Sequence, residues 1–337
     1  MGPWTRWAPK RRGVVRALVA LGVAGVSFRL AAQSRRPDPA RIAILDDASA
    51  ATRHQLWAAF RNRLGELGYV EGRDVLIEAR FAGGNPDRLA VLAAELVAGK
   101  PDVLVVVTTT AAVAAKKETS RIPIVALGPA DPVQSGLVMS LARPGGNLTG
   151  LSPNQAEIVG KWLDLLRALR PDAKALVYLT DTGNPGEMLV YRDLETRARA
   201  LGMESQVMDG VGAANVAEAF ASMQRRRSDA LIVATTASLL TQRRQIVDGA
   251  ARLRIPAIYA RQEYAEAGGL ISYGTDSHVL FARAADYVSR ILRGTPPAEL
   301  PFEMASTFRL VVNLRTAREL GLVIPRDVRI RADEVIE

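Results

Sequence analysis

Two short threonine runs, Thr108-Thr109-Thr110 and Thr235-Thr236, each stand between an apolar run and the start of a helix-like stretch. Hydroxyls beside the free N–H groups of a helix N-terminus suit a carboxylate or a phosphate; the same threonines could serve only as caps of their own helices. Their surroundings recur. PDVLVVVTTTAA from Pro101 lies over SDALIVATTASL from Ser228, so that Asp102 matches Asp229 at an offset of 127 residues. Asp46-Asp47, just beyond the first apolar run, could receive a cation, although an aspartate that starts a helix is commonly a cap.

The chemistry that is absent narrows the choice. The chain has no cysteine and two histidines, His54 and His278, which leaves no thiolate site, no disulfide and little for a histidine-rich metal centre or a Ser-His-Asp triad. No G-x-G-x-x-G follows the first strand, and G-x-x-x-x-G-K-[ST], G-x-S-x-G and H-E-x-x-H do not occur. No cofactor and no enzymatic activity are expected. The Arg225-Arg226-Arg227 run has no interleaved aromatics and reads as a solvated helix end, so no nucleic-acid partner is expected.

The elements that would carry the threonines alternate short β-branched runs with longer amphipathic stretches, the pattern of a parallel α/β sheet. Strands are expected at 41–45, 75–79, 102–107 and 122–127, with helices at 52–67 and 87–98. The second half repeats the order with strands at 173–179, 230–234 and 257–259 and helices at 188–200 and 215–224. In parallel sheets ligands sit at the carboxyl ends of strands. Two such lobes facing each other would present both threonine loops across one cleft.

The first 32 residues differ from the rest. They carry six basic residues and no acid, followed by the apolar run ALVALGVAGVSF at 17–28. Twelve helical residues rise about 18 Å against a hydrocarbon core of about 30 Å, so the run fits a secretory signal better than a membrane span. A signal peptide is expected at 1–32 and a linker at 33–40, with export to the periplasm by the Sec or the twin-arginine route. Removal after Ala32 would take the formal charge from +9 to +3, leaving 38 basic and 35 acidic residues.

The segments GYVEGRDVLIEAR from Gly68, IPIVALGPADPVQSGLVMSLARPGGNLTGLS from Ile122, AADYVSRILRGTPPAELP from Ala284 and FRLVVNLRTARELGLVIPRDVRIRADEVIE from Phe308 resemble the solute-binding proteins of ABC importers of the tryptophan/tyrosine type. The resemblance implies a two-lobed type I periplasmic-binding fold, each lobe a mainly parallel sheet flanked by helices. It implies capture of a small solute, an amino acid or related carboxylate, and delivery to an ABC permease and through it to a cytoplasmic ATPase. A ligand-sensing module of the same fold is the alternative. Lobe 1 is expected to hold 41–150 and a returning helix at 277–293, lobe 2 to hold 151–272 and 301–337, with the PGGN turn at 144–147 as a natural first crossing.

Carried onto this chain, the resemblance puts Thr108, Thr109, Thr110 and Ala111 on a ligand carboxylate and Asp131 on an ammonium group. From lobe 2 it adds Asn184, Thr235, Thr236, Gln262 and Tyr273, with Tyr273 and Tyr264 as candidates for stacking. Asp46-Asp47 is more acidic than the small residues the family would place there, which bears on the charge and size of the ligand.

Overall fold

The computed structural model describes residues 38–337, so the expected signal peptide and most of the linker lie outside the described residues. Lobe 1 begins with β1 (Ala40–Asp46), α1 (Ala50–Glu66), β2 (Val75–Phe81), α2 (Arg88–Ala98), β3 (Val103–Val107), α3 (Thr109–Glu118), β4 (Ile124–Leu127) and β5 (Leu148–Ser152). Lobe 2 follows with α4 (Gln155–Leu169), β6 (Ala175–Thr180), α5 (Pro185–Ala200), β7 (Glu204–Asp209), α6 (Ala213–Arg226) and β8 (Ala230–Val233). It continues through α7 (Ala237–Thr241), α8 (Arg243–Leu253), β9 (Ala257–Tyr259), α9 (Gln262–Glu266) and β10 (Ile271–Thr275). The chain then returns through α10 (Ser277–Leu292) and β11 (Glu303–Met304) and crosses again into β12 (Phe308–Asn313), α11 (Leu314–Leu320), α12 (Arg326–Ile330) and β13 (Glu334–Ile336).

Among the described residues there are two sheets, in the orders β11-β5-β4-β3-β1-β2 and β13-β12-β10-β9-β8-β6-β7, parallel throughout except where β12 runs antiparallel to β10. Helices cover both faces. This is why β3, β4 and β8 are apolar along their whole length rather than alternating: each is buried at every residue. The repeat seen in the sequence has a structural counterpart. Asp102 and Asp229, each at the entrance to the middle strand of its lobe, accept from the backbone N–H groups of Arg41 and of Lys174 and Ala175, tying that strand to the first strand of the lobe.

The chain passes between lobes three times, at residues 153–154, at Asp276 and at 305–307. The last two passages are hydrogen-bonded to each other, Asp276 N–H donating to the Thr307 carbonyl at 3.0 Å. Two expectations are corrected here. The PGGN turn is not a crossing, because it leads into β5, which pairs in parallel with β4 inside lobe 1. Residues 301–304 belong to lobe 1 rather than lobe 2, because β11 adds to the edge of β5. The returning helix α10 packs on α1, where Phe281 meets Trp57 edge-on at 4.8 Å between ring centres and Arg63 pairs with Asp286 at 2.9 Å. No helix of the described residues is long and apolar enough to cross a membrane.

Candidate functional site

The carboxyl ends of β1, β2 and β3 face those of β6 and β8 across a chamber between the lobes. Lobe 1 contributes Asp47, Gly84, Pro86, Leu89, Thr108 and Thr110. Lobe 2 contributes Asp181, Asn184, Thr236, Ala237 and Ser238. The lobes also touch directly beside it. A Cβ at Gly186, in the first turn of α5, would overlap the Thr109 hydroxyl, stand 2.9 Å from Thr109 Cβ and 3.3 Å from Ala130 Cβ, while the Gly84 turn approaches the Ser238 backbone.

The structure separates the neighbours Asp46 and Asp47. Asp46 is fully buried and spent within its own lobe, accepting from Trp57 Nε1 at 2.8 Å, from Ala48 N at 2.8 Å and from Arg53 Nε at 3.4 Å. It is a strut rather than the expected cation receptor. Asp47 reaches the chamber, with Arg53 Nη2 at 3.3 Å. Burial pushes its carboxyl up to about 7, Arg53 opposing the rise and the Asp46 charge adding to it.

Thr108 occupies the N-cap position of α3 with φ 83° and ψ 164°, a conformation that costs a β-branched residue of order 1–3 kcal/mol. Its hydroxyl does not cap the helix and has no hydrogen-bond partner among the described residues. The strain aims the first turn of α3 at the chamber. Replacing Thr108 by glycine is therefore expected to leave stability unchanged or raise it by about 1 kcal/mol, relief of strain outweighing the entropy of glycine, while ligand affinity falls; denaturant melts and calorimetry measure the two. A loss of stability would show that the backbone there is relaxed.

The other threonines divide. Thr110 lines the chamber, and the Thr109 hydroxyl accepts from Ala130 N at 3.0 Å, bracing the loop after β4 instead of facing a ligand. Ala111 is buried in the apolar core of lobe 1. Thr236 lines the chamber from the N-cap position of α7, whereas Thr235 donates to Glu187 at 3.1 Å. Asn184 keeps its place on the wall and caps α5 through Gly186 N at 3.0 Å.

Four residues expected at the site lie elsewhere. Asp131 closes its own turn, accepting from Val133 N, Gln134 N and Gln134 Nε2 at 3.2, 2.9 and 2.8 Å, so the ammonium role expected of it has no free carboxylate. Tyr273 is buried in the core of lobe 2 and stacked on Phe308 at 5.7 Å, and Tyr264 is buried and stacked on Tyr259 at 4.9 Å, so neither ring is available to a ligand in the chamber. Gln262 lines a separate recess of about 370 Å³ between the lobes with Leu56, Arg261 and His278.

The sequence reading missed Asp181 and Glu187. Asp181 opens the loop after β6 and lines the chamber, its Oδ1 accepting from Gly183 N at 2.9 Å. Burial pushes its carboxyl above the ordinary range, and nearby Asp209 adds to the rise. Glu187 is buried behind the wall and takes hydroxyl hydrogens from Tyr178 at 2.5 Å, Thr180 at 3.2 Å and Thr235 at 3.1 Å. Burial raises it too. The DTGNPG turn that pointed to Asn184 was the signal available for Asp181; nothing in sequence spacing brings Glu187 to Thr235. Among the described residues no cluster of His, Asp and Glu is placed to hold a metal ion.

A family model described as ABC transporter substrate binding protein matches residues 41–336. A tyrosine-binding protein of Clostridioides difficile is 26% identical over 263 residues, covering 78% of this chain and 75% of its own length. A conserved domain protein of Vibrio cholerae superposes with a TM-score of 0.82 at 27% identity, covering 88% of this chain and 100% of that one. A domain from Streptococcus pneumonia in complex with L-Trp superposes with a TM-score of 0.81 at 25% identity, covering 89% of this chain and 100% of that one.

Proposed function

Since the chain belongs to the ABC transporter substrate binding protein family, we propose that it captures an amino acid in the chamber between its lobes and delivers it to a permease driven by an ATPase. The matched relatives are solute-binding proteins rather than enzymes, and the family is extracytoplasmic; a periplasmic location is part of the proposal. The observation that carries the reading is the pairing, in one inter-lobe chamber, of the Asp47 carboxylate with the strained start of α3. The free N–H groups of the first turn of a helix receive a ligand carboxylate. Asp47 receives the ammonium group. Asn184, Asp181 and Thr236 close over the solute from lobe 2, so that its contacts to both lobes favour the closed arrangement. The ligands named for the tyrosine-binding and L-Trp-complexed relatives support an amino acid as the solute.

Thermal melts with a panel of free amino acids test the proposal. A ligand at a hundred times its Kd stabilises the folded state by about 2.7 kcal/mol, and mass spectrometry should recover it unchanged. Covalent conversion of the stabilising ligand, or no stabilisation by any amino acid, would overturn the reading.

The position of Asp47 also sets a pH dependence. With its carboxyl at about 7 in the ligand-free protein, it is protonated at lower pH and must lose that proton to pair with an ammonium group. Affinity is therefore expected to fall as pH drops through 7, by up to about tenfold per unit. Calorimetric Kd values at pH 8, 7 and 6 give the slope, and a flat series would remove Asp47 from the ammonium role.

A further inference from the structure

Two carboxyl groups, Asp47 of lobe 1 and Asp181 of lobe 2, line the chamber, and among the described residues lining it no basic side chain stands with them. We propose, on the basis of the amino-acid reading above, that the preferred solute is a small non-aromatic diamino acid, its α-ammonium at Asp47 of lobe 1 and its side-chain cation at Asp181 of lobe 2.

The charge balance carries the argument. Among the described residues lining the chamber there is no lysine, arginine or histidine. Arg53, beside the chamber, is shared between Asp46 and Asp47 and so offsets one of the two. On lobe 2, Asp181 uses one oxygen on its own turn, and Glu187 behind it receives only hydroxyl groups. No protein cation is among the influences on either carboxyl, and burial favours their neutral forms, so a ligand cation brought beside them is what would hold them ionised. A zwitterion adds one charge of each sign and leaves the surplus in place. A second ammonium group desolvated between the lobes would offset part of it, and opposite charges attract more strongly there than in water.

The lining points the same way. The apolar lining of the chamber is Leu89, Pro86 and Ala237, with no ring to stack on an indole or a phenol. The tyrosines that could have served are packed inside lobe 2.

Calorimetry of the purified protein at pH 8 with L-2,4-diaminobutyrate, L-ornithine, L-lysine, L-serine, L-tyrosine and L-tryptophan tests the proposal. At least one diamino acid is expected to bind at least tenfold tighter than every neutral probe. Asp181→Asn, which keeps the oxygen that Gly183 N–H needs, is expected to weaken the diamino acid at least tenfold more than serine. Should that variant not fold, the unaltered protein is titrated with L-norvaline, which is ornithine without its side-chain amine and is expected to bind at least tenfold more weakly than L-ornithine. Tyrosine or tryptophan binding as tightly as the diamino acids, or a preference unmoved by the substitution, overturns the proposal and leaves amino-acid capture standing. No heat with any probe would instead overturn the amino-acid reading, and this inference with it.

Discussion

Gly186→Val is expected to weaken ligand binding by about five- to 150-fold. Gly186 lies in the first turn of α5 on lobe 2, and any Cβ there meets Thr109 of lobe 1. Thr109 cannot simply swing aside, because it is buried and its hydroxyl is held by Ala130 N. Forcing added methyl groups into a packed contact costs about 1–3 kcal/mol, and this cost falls on any arrangement in which the two lobes meet here. The ligand must then supply it, at 1.4 kcal/mol for each tenfold in Kd. Gly160→Ala, on α4, has a Cβ whose nearest neighbour is the flexible Arg197 guanidinium at 3.7 Å and serves as the control. Calorimetric Kd values, with small-angle scattering to report the open fraction, are the measurements. An unchanged affinity for the valine variant would mean that the ligand-bound lobes do not meet at this contact.

The second large effect is expected on stability. Asp46→Ala should cost about 3–5 kcal/mol, the range found when one partner of a buried ion pair is removed. Asp46 is fully buried and Arg53 is 4% exposed, and the Trp57 indole N–H loses its acceptor at the same time. Asn at 46 should recover part of the loss by keeping an oxygen for Trp57. Denaturant unfolding followed by tryptophan fluorescence measures both variants. A loss below about 1 kcal/mol would show that Arg53 finds full compensation at Asp47 and at Glu263, whose charge also acts on it.

These two positions also show what sequence could and could not convey. The alternation of strands and helices follows from burial on both faces of each sheet, and runs such as DVLVVV at 102–107 announce it directly. The 127-residue repeat identified the two threonine loops and, in Asp102 and Asp229, a shared strand-entrance contact. It did not reveal which hydroxyls face a ligand, because that depends on one backbone torsion at Thr108 and on partners such as Ala130 and Glu187 that are distant in the chain. Asp46 and Asp47 are adjacent letters with opposite tasks; the helical spacing of Arg53 and Trp57, four residues apart on one face of α1, was the sign that the first was already engaged. Aromatic residues at strand ends suggested stacking platforms, yet Tyr273 and Tyr264 satisfy the apolar demand of lobe 2 instead. The first crossing was misplaced because β5 is recognisable only from its partner: a Cβ at Gly150 would meet the Ala126 backbone, a closeness that no local pattern encodes.

The three passages between lobes impose an order on self-assembly. Lobe 1 lacks α10 and β11 until residue 304 is available, and lobe 2 lacks β12 and β13 until residue 336. A chain emerging from its amino end would therefore present the apolar face of α1, with Trp57 and Phe60, well before Phe281 and Val288 arrive to cover it. Neither half can finish until most of the chain is available, and closing such long loops before the covering contacts form slows the search and prolongs exposure of sticky surface. A chain cut within α10 should lose cooperative unfolding in both lobes rather than yield one intact lobe.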